Sequence, residues 1–416
     1  MDSAKYNAAN RLFLFLIRAL LLGWAGLLVY LNLHLYYQPD FSTSPKGTYN
    51  ESVYRQLQHL GDEIHAGAAE DMQDLFPEGF LFLNALYALA WVDCASPLTK
   101  SQEQKVLTEA LREIDWSLAQ INSPTGKQIF DENLYPTYGA FYLGWSNYVL
   151  ARRLALVPAD ARPKNQVAVF QQNCAELAAA FDSIPGPWLE TYPHSAWPAD
   201  NVVAIASLAE HDRLFNTRVY QGTIQRWLAE VKTVLDPETG LIPHSVFFAN
   251  NAISEGARGS SQSLIQCFLP VIDSAFAAQQ YTLYQQHFQT HRLGLPGIRE
   301  YPYGKVGTGD IDSGPVIWEV GGAASIVGQR AAALQGDDEL FVGLRNCIEL
   351  FGVGVSWRGK KRYLFGYLPI ADAFIAWSNS AEKAPNQITG GGWWRSWVQF
   401  TSILIFLLLL WLWRKL

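Results

Sequence analysis

A chain of 416 residues, 49% hydrophobic and 13% aromatic, has ample core for two domains or for one large toroidal domain. Only 17% of it is charged, low for a freely soluble protein, and a net charge of −7 argues against nucleic acid or anionic lipid as the main partner. The four cysteines (Cys94, Cys174, Cys267, Cys347) are scattered, with no C-x-x-C and no Cys/His cluster; no metal site or cofactor is expected, and disulfides and buried free thiols both stay open.

Residues 1–10 read as a short tail. The run "RLFLFLIRALLLGWAGLLVYLNLHLYY" (11–37) is long enough to span about 30 Å of hydrocarbon, with Arg18 able to snorkel. It is too long for a signal peptide, and no small-x-small cleavage site follows it. A second span, 396–413, lies within "WWRSWVQFTSILIFLLLLWLWRKL", with Trp at both ends, and 414–416 form a tail. Lys5 and Arg11 flank the first span and Arg414 and Lys415 the second. The positive-inside rule therefore predicts a two-pass membrane protein with both termini cytoplasmic and a periplasmic or extracellular domain at 45–385.

Between the spans there is almost no period-2 alternation. Helical spacing predicts helices at 51–67, 78–93, 101–119, 135–156, 164–182, 199–215, 218–235, 257–272, 274–289, 314–335, 338–352 and 368–380. The breakers "SIPGPW", "LDPETG" and "QGDDE" end three of them. Connections near 157–163, 216–217, 273 and 336–337 are short; those at 120–134, 183–198, 236–256, 290–313 and 353–367 are long. In antiparallel helical hairpins, alternate connections emerge at one end, so the long loops gather on one face. The expected fold is all-α, an (α/α)6 toroid of about twelve helices flanked by a transmembrane helix at each end.

The long loops carry the candidate chemistry. "PGPWLETYPHSAWPADNVV" brings together Glu190, Tyr192, His194, Trp197 and Asp200. Glu190, among Trp and Tyr, is a candidate general acid, while Asp200 is a candidate carboxylate or an N-cap. Asp212 and Arg213 read as a structural ion pair. His244, Glu255 and Arg258 are candidate substrate contacts, and "DPETG" is a turn. "REYPYGKVGTGDIDSGPV" sets Glu300, Asp310 and Asp312 on a Gly-rich loop; one aspartate suits a helix cap, leaving the other free to work with Glu300. Glu300, Asp312, Glu190 and Asp200 are the predicted catalytic residues. Tyr135, Tyr138, Tyr192, His194, Trp197, His244, Arg258 and Asp310 are the predicted substrate contacts.

The stretch from about 131 to 345 resembles the linalool dehydratase/isomerase family. The similar segments are "ENLYPTYGAFYLGWSNYVL", "WPADNVVAIASLAEHDRLFNT", "DPETG" and "REYPYGKVGTGDIDSGPVIW", in that order, with a weaker likeness in "YLFGYLPIADAFIAWS". The resemblance implies an (α/α)6 barrel, acid–base addition and removal of water, and rearrangement of a tertiary alkenol. It maps a family glutamate onto Glu300 and a family aspartate onto Asp312. The family cysteines fall near Leu189 and on Asp200, and its histidine on Gly139 or Ala140, so the cysteine-dependent chemistry lacks its residues. Three functions follow: a membrane-anchored lyase or isomerase acting on a neutral hydroxylated substrate with a carboxylate-rich pocket; a carbohydrate-active enzyme on the same barrel; or a non-catalytic binding scaffold of an envelope machine. The expected partners are a small-molecule alcohol or glycan and the lipid bilayer, with no nucleic acid.

Overall fold

The computed structural model describes residues 2–44, 47–98, 104–311, 313–382 and 392–416. In chain order the helices are α1 (Asp2–His34), α2 (Glu51–His65), α3 (Ala68–Leu75), α4 (Gly79–Ala95), α5 (Gln104–Ile121), α6 (Pro124–Lys127), α7 (Gly139–Ala155) and α8 (Lys164–Ser183). They continue as α9 (Pro198–Phe215), α10 (Gln221–Val231), α11 (Gly259–Ile272), α12 (Ser274–Phe288), α13 (Gly322–Gln335), α14 (Asp338–Phe351), α15 (Pro369–Ser380) and α16 (Trp393–Lys415).

Six helices form a closed inner ring. α4 packs on α7, α7 on α9, α9 on α11, α11 on α13, α13 on α15, and α15 returns to α4. Outside them lie α5, α8, α10, α12 and α14, and α2 covers the seam between α15 and α4. This is an (α/α)6 toroid. The sequence explains which helix goes where. α4 is apolar on every face and buried on almost every residue, because both the bore and the outer layer cover it. By length and hydropathy α4 would also cross a bilayer, but the ring encloses it. The outer helices α2, α5, α10 and α14 are instead amphipathic and turn one apolar face inward. The bore is filled: Phe82, Trp145, Phe268 and Trp377 meet edge-to-face or stacked, with centroids 5.3–6.3 Å apart.

All twelve predicted helices form. The largest boundary error is at α13, which starts at Gly322 instead of 314. Residues 316–321 fold into a tight hairpin, with Trp318 and Glu319 at positive φ, so an apolar run that reads as helix is a turn. Two short helices, α3 and α6, were not predicted. Short strands, absent from the expectation, pair within and between the connections: β1 (Phe41–Ser44) with β2 (Gly47–Asn50) and β4 (Ser245–Phe247) with β5 (Ala252–Glu255) as hairpins, and β3 (Ser195–Ala196) with β4 across two connections. Further along, β6 (Gln289–Arg292) pairs with β7 (Leu295–Ile298), β8 (Val316–Ile317) with β9 (Val320–Gly321), and β10 (Val355–Trp357) with β11 (Lys360–Arg362).

Every long connection leads into the N-terminal end of an inner helix, so all of them emerge on one face, the open rim. The opposite, closed end is made of tight joints. At one, Asp273 alone ends α11 and caps α12, its carboxylate accepting from the Phe276 amide at 2.7 Å.

The terminal helices α1 and α16 are long and apolar enough to span a membrane, and they pack antiparallel on each other. Asn32 donates to Ser402 at 3.0 Å, and Arg395 to the Leu35 carbonyl at 2.7 Å. A buried polar layer joins them to the ring. Arg345 and Asn346 of α14 donate to the carbonyls of Tyr37 and Leu35, while Lys361 lies between Glu349 and the Tyr37 hydroxyl.

Candidate active site

The charged site is assembled at the N-terminus of α11. Gly259 makes it possible: a Cβ there would sit 1.8 Å from the Arg299 carbonyl oxygen, so only glycine lets the 299–300 backbone cross the helix end. The Gly259 amide donates to the Glu300 carbonyl at 2.7 Å. This fixes the Glu300 side chain over the first turn. Its carboxylate accepts from Arg258 Nε at 2.9 Å, from Ser260 Oγ at 2.8 Å and from the Ser260 amide at 3.2 Å. The helix dipole favours the same negative charge. Glu300 is fully buried, and burial raises its carboxyl above the usual range against the pull of Arg258 and Ser260.

Arg258 joins three carboxylates. Its Nη2 also lies 2.9 Å from Glu300, its Nη1 meets both Asp310 at 2.5 Å and Glu255 at 3.6 Å, and its charge lies 5.4 Å from the Tyr301 ring centroid. Asp310 is half-exposed. Partial burial alone would raise its carboxyl, but the Arg258 guanidinium and the Ser313 amide outweigh that and hold it at about 2. His244 completes the cluster. Its Nδ1 contacts the Ser261 hydroxyl and its Nε2 lies 3.8 Å from Glu255. Burial, helped by Arg258, pushes it down to about 4, so it is neutral at pH 7. Two carboxyls thus share one guanidinium while their proton affinities are pushed in opposite directions, beside a neutral imidazole.

The neighbouring sector of the rim is aromatic. The β3–β4–β5 sheet ties the loop before α9 to the loop before α11. The Tyr192 hydroxyl donates to Glu78, and its ring stacks on Phe130 and meets Trp197 edge-on. Tyr138, half-buried at the start of α7, lies under Lys127 beside a cleft of about 450 Å³ that Phe130 and Glu132 also line. Tyr135 and His194 point to solvent. Glu190 closes a turn by accepting from the His194 amide at 2.6 Å.

The predicted site residues that are described therefore share one rim: Tyr135 and Tyr138 lie on the connection before α7, and the rest fall in two groups. His244, Arg258, Glu300 and Asp310 form one cluster, with Glu190, Tyr192, His194, Trp197 and Asp200 on the adjacent connection. Asp312 lies outside the described residues. Asp200 is not the N-cap of α9; Trp197 holds that position, and Asp200, buried in the first turn, accepts from Thr191. Asp212 and Arg213 do not pair with each other. Arg213 bonds Glu210, and Asp212 accepts from the amides of Val219 and Tyr220, because the helix end turns the two side chains apart. All four cysteines are free and buried. The sequence reading missed Ser260 and Ser261, whose signal was the small "RGSS" run opening a helix directly after an arginine.

No protein-family model matches the chain, and no curated protein matches it in sequence. Solved structures do match. The GH76A alpha-1,6-mannanase from Salegentibacter sp. HEL1_6 aligns with a TM-score of 0.48 and 12% identity, over 80% of this chain and 99% of that one. An inactive variant of that enzyme in complex with alpha-1,6-mannotriose aligns with a TM-score of 0.47 and 12% identity, over 80% and 99%. The GH76 alpha-mannanase of Bacteroides thetaiotaomicron aligns with a TM-score of 0.42 and 9% identity, over 72% and 85%.

Proposed function

We propose that the chain is a membrane-anchored enzyme whose open rim performs general acid–base chemistry on a neutral hydroxylated substrate, and that this substrate is a glycan. The observation that carries the reading is the split pair on Arg258: Glu300 raised by burial and Asp310 held ionised, the pattern by which carboxyls divide acid and base roles. Glu300 is the proton donor in this scheme. It has no exposed surface of its own, so half-buried Ser260, which bonds it, links it to the mouth. Asp310, with Asp312 beside it in sequence, supplies the ionised carboxylate. Tyr135, Tyr138, Tyr192 and Trp197 offer faces for sugar stacking, and Glu190 and Asp200 stand as further carboxylates of the rim.

The lyase or isomerase chemistry implied by the family resemblance draws less support. Burial pushes the thiols of Cys174, Cys267 and Cys347 up to about 12, far from nucleophilic thiolates. In the proposed topology both termini face the cytoplasm and the ring faces the opposite side.

The test is a product screen of the full-length protein against a glycan panel that includes mannooligosaccharides, with tertiary alkenols in parallel. Turnover of a glycan that falls at least about 100-fold in Glu300→Gln and in Asp310→Asn supports the reading. Alkenol turnover would favour the lyase or isomerase, and glycan binding without product would favour the scaffold.

A further inference from the structure

The open rim carries an apolar surface that the acid–base reading leaves unused. Ile317 and Trp318 at the β8–β9 turn, Trp357 on the β10–β11 hairpin, and Phe365 and Tyr367 before α15 are each 57–86% exposed. Trp318 and Phe365 sit at positive φ, a backbone costly for such residues, yet nothing covers most of either ring. Around Trp357 the sequence reads "WRGKKR". Lys360 and Lys361 pair with Asp62 and Glu349, whereas Arg358 and Arg362 have no carboxylate in ion-pair distance among the described residues. The overall charge of −7 conceals this local positive hairpin.

The direction of the terminal helices says what covers this surface. α14 runs from the closed end to the open rim. α1 passes alongside it in the opposite sense: Tyr37 and Leu35 meet Arg345 and Asn346, and Tyr30 meets Leu350 at the rim end. The apolar body of α1 therefore continues beyond the rim. α16 follows the same course, from Arg395 beside Leu35 to Ser402 beside Asn32 and Trp413 beside Arg18. The turn of the β6–β7 hairpin reaches α16 at its interfacial tryptophans: a Cβ on Gly294 would lie 2.8 Å from the Val398 amide and 2.9 Å from Trp397 Cβ. The bilayer spanned by α1 and α16 thus lies on the open-rim side of the ring.

We propose that the rim is seated in that bilayer's surface. The indoles and phenyl rings enter the acyl boundary, and Arg358 and Arg362 meet lipid phosphates. The candidate site then opens at the membrane interface and takes a substrate that itself carries a lipid tail. That last step rests on the enzymatic reading; the seating does not.

The seating is tested on the full chain reconstituted in phosphatidylcholine/phosphatidylglycerol vesicles. Ile317→Cys and Tyr367→Cys on the rim, and Val219→Cys at the closed end, are each labelled with bimane, the native thiols being buried. Several-fold stronger quenching by acyl-chain spin-labelled lipid at the rim than at position 219, with several-fold weaker quenching by aqueous iodide, is expected. Equal iodide quenching at all three positions overturns the proposal. Rim labels shielded from both quenchers overturn it too, since a second copy or another protein then covers the face. Hydrogen exchange on the unmodified protein keeps the test sound if a variant misfolds: bilayer, compared with detergent, must slow exchange at 313–319 and 352–367. None of these measurements depends on turnover, so a missing activity and a missing membrane seat are told apart.

Discussion

At the closed end of the ring, helices are joined by short segments, the tightest being Asp273 alone and residues 336–337, and the described connections there expose a single large apolar side chain, Val219. At the open rim the same helices are joined by long segments that hold Arg258 with its three carboxylates, left-handed non-glycine residues and a run of exposed aromatics. One end is optimised for closure: caps, short joints and polar surface. Buried charge is common to both ends, since Asp93, Arg152, Glu210 and Arg330 pair near the closed one; what the rim adds is bulky residues in left-handed backbone with exposed aromatic rings, strain that a fold retains where something else uses it. Tight joints and exposed aromatics are thus separated along the ring axis.

The separation makes graded predictions. The largest effect is expected at the hub. Arg258→Met strands Glu300 in the interior and should cost about 3–5 kcal/mol in a denaturant melt. A loss below about 1 kcal/mol would mean that the cluster is not buried as described.

Next comes pH. His244 binds its proton less readily when folded, so it adds stability that is present above about pH 6.5 and lost as pH falls toward 4, worth up to about 3 kcal/mol. Asp372, raised by burial to about 7, has the opposite sign: its contribution is lost as pH rises from about 4 to 7. Stability measured from pH 4 to 7 should therefore rise more steeply in Asp372→Asn than in wild type, and less steeply in His244→Gln. Parallel curves for all three would refute both assignments.

At the closed end Asp273→Ala should cost about 1 kcal/mol, the loss of one cap. Smallest of all, Val219→Ser and Trp318→Ser should each leave folding stability in detergent within about 0.5 kcal/mol, since neither side chain packs inside. A large loss for Trp318→Ser would return the rim aromatics to the core.

Much of this was legible in the sequence, for reasons that differ by region. Helices bounded by Gly, Pro and Asp could be read because their breakers are local, and alternating loop length alone predicted that the long connections share one face. The start of α13 could not. "PVIWEVGG" has helical composition, and distant partners hold Trp318 and Glu319 in a left-handed turn: Arg292 and Arg299 pair with the Glu319 carboxylate, the Glu300 amide donates to the Glu319 carbonyl, and Arg292 donates to the Trp318 carbonyl. In the site, Arg258, Glu300, Asp310 and His244 were legible as polar residues on long loops. That Glu300 would be sealed under Arg258 was not, because it depends on Gly259 admitting a distant backbone. The polar layer of Tyr37, Arg345, Glu349 and Lys361 was equally hidden, since its members lie up to 324 residues apart and each looks ordinary in its own segment.

The seam between α2 and α15 has a consequence for biosynthesis. Gln56 reaches the Asp372 carbonyl at 2.8 Å, across 316 positions of chain. Until α15 has left the ribosome, the toroid is an arc whose apolar edges have no partner, and translation at about 5–20 residues per second stretches that interval to roughly 16–60 s. The nascent arc therefore leaves those apolar edges open to solvent or to other chains before the last wedge can lock the circle.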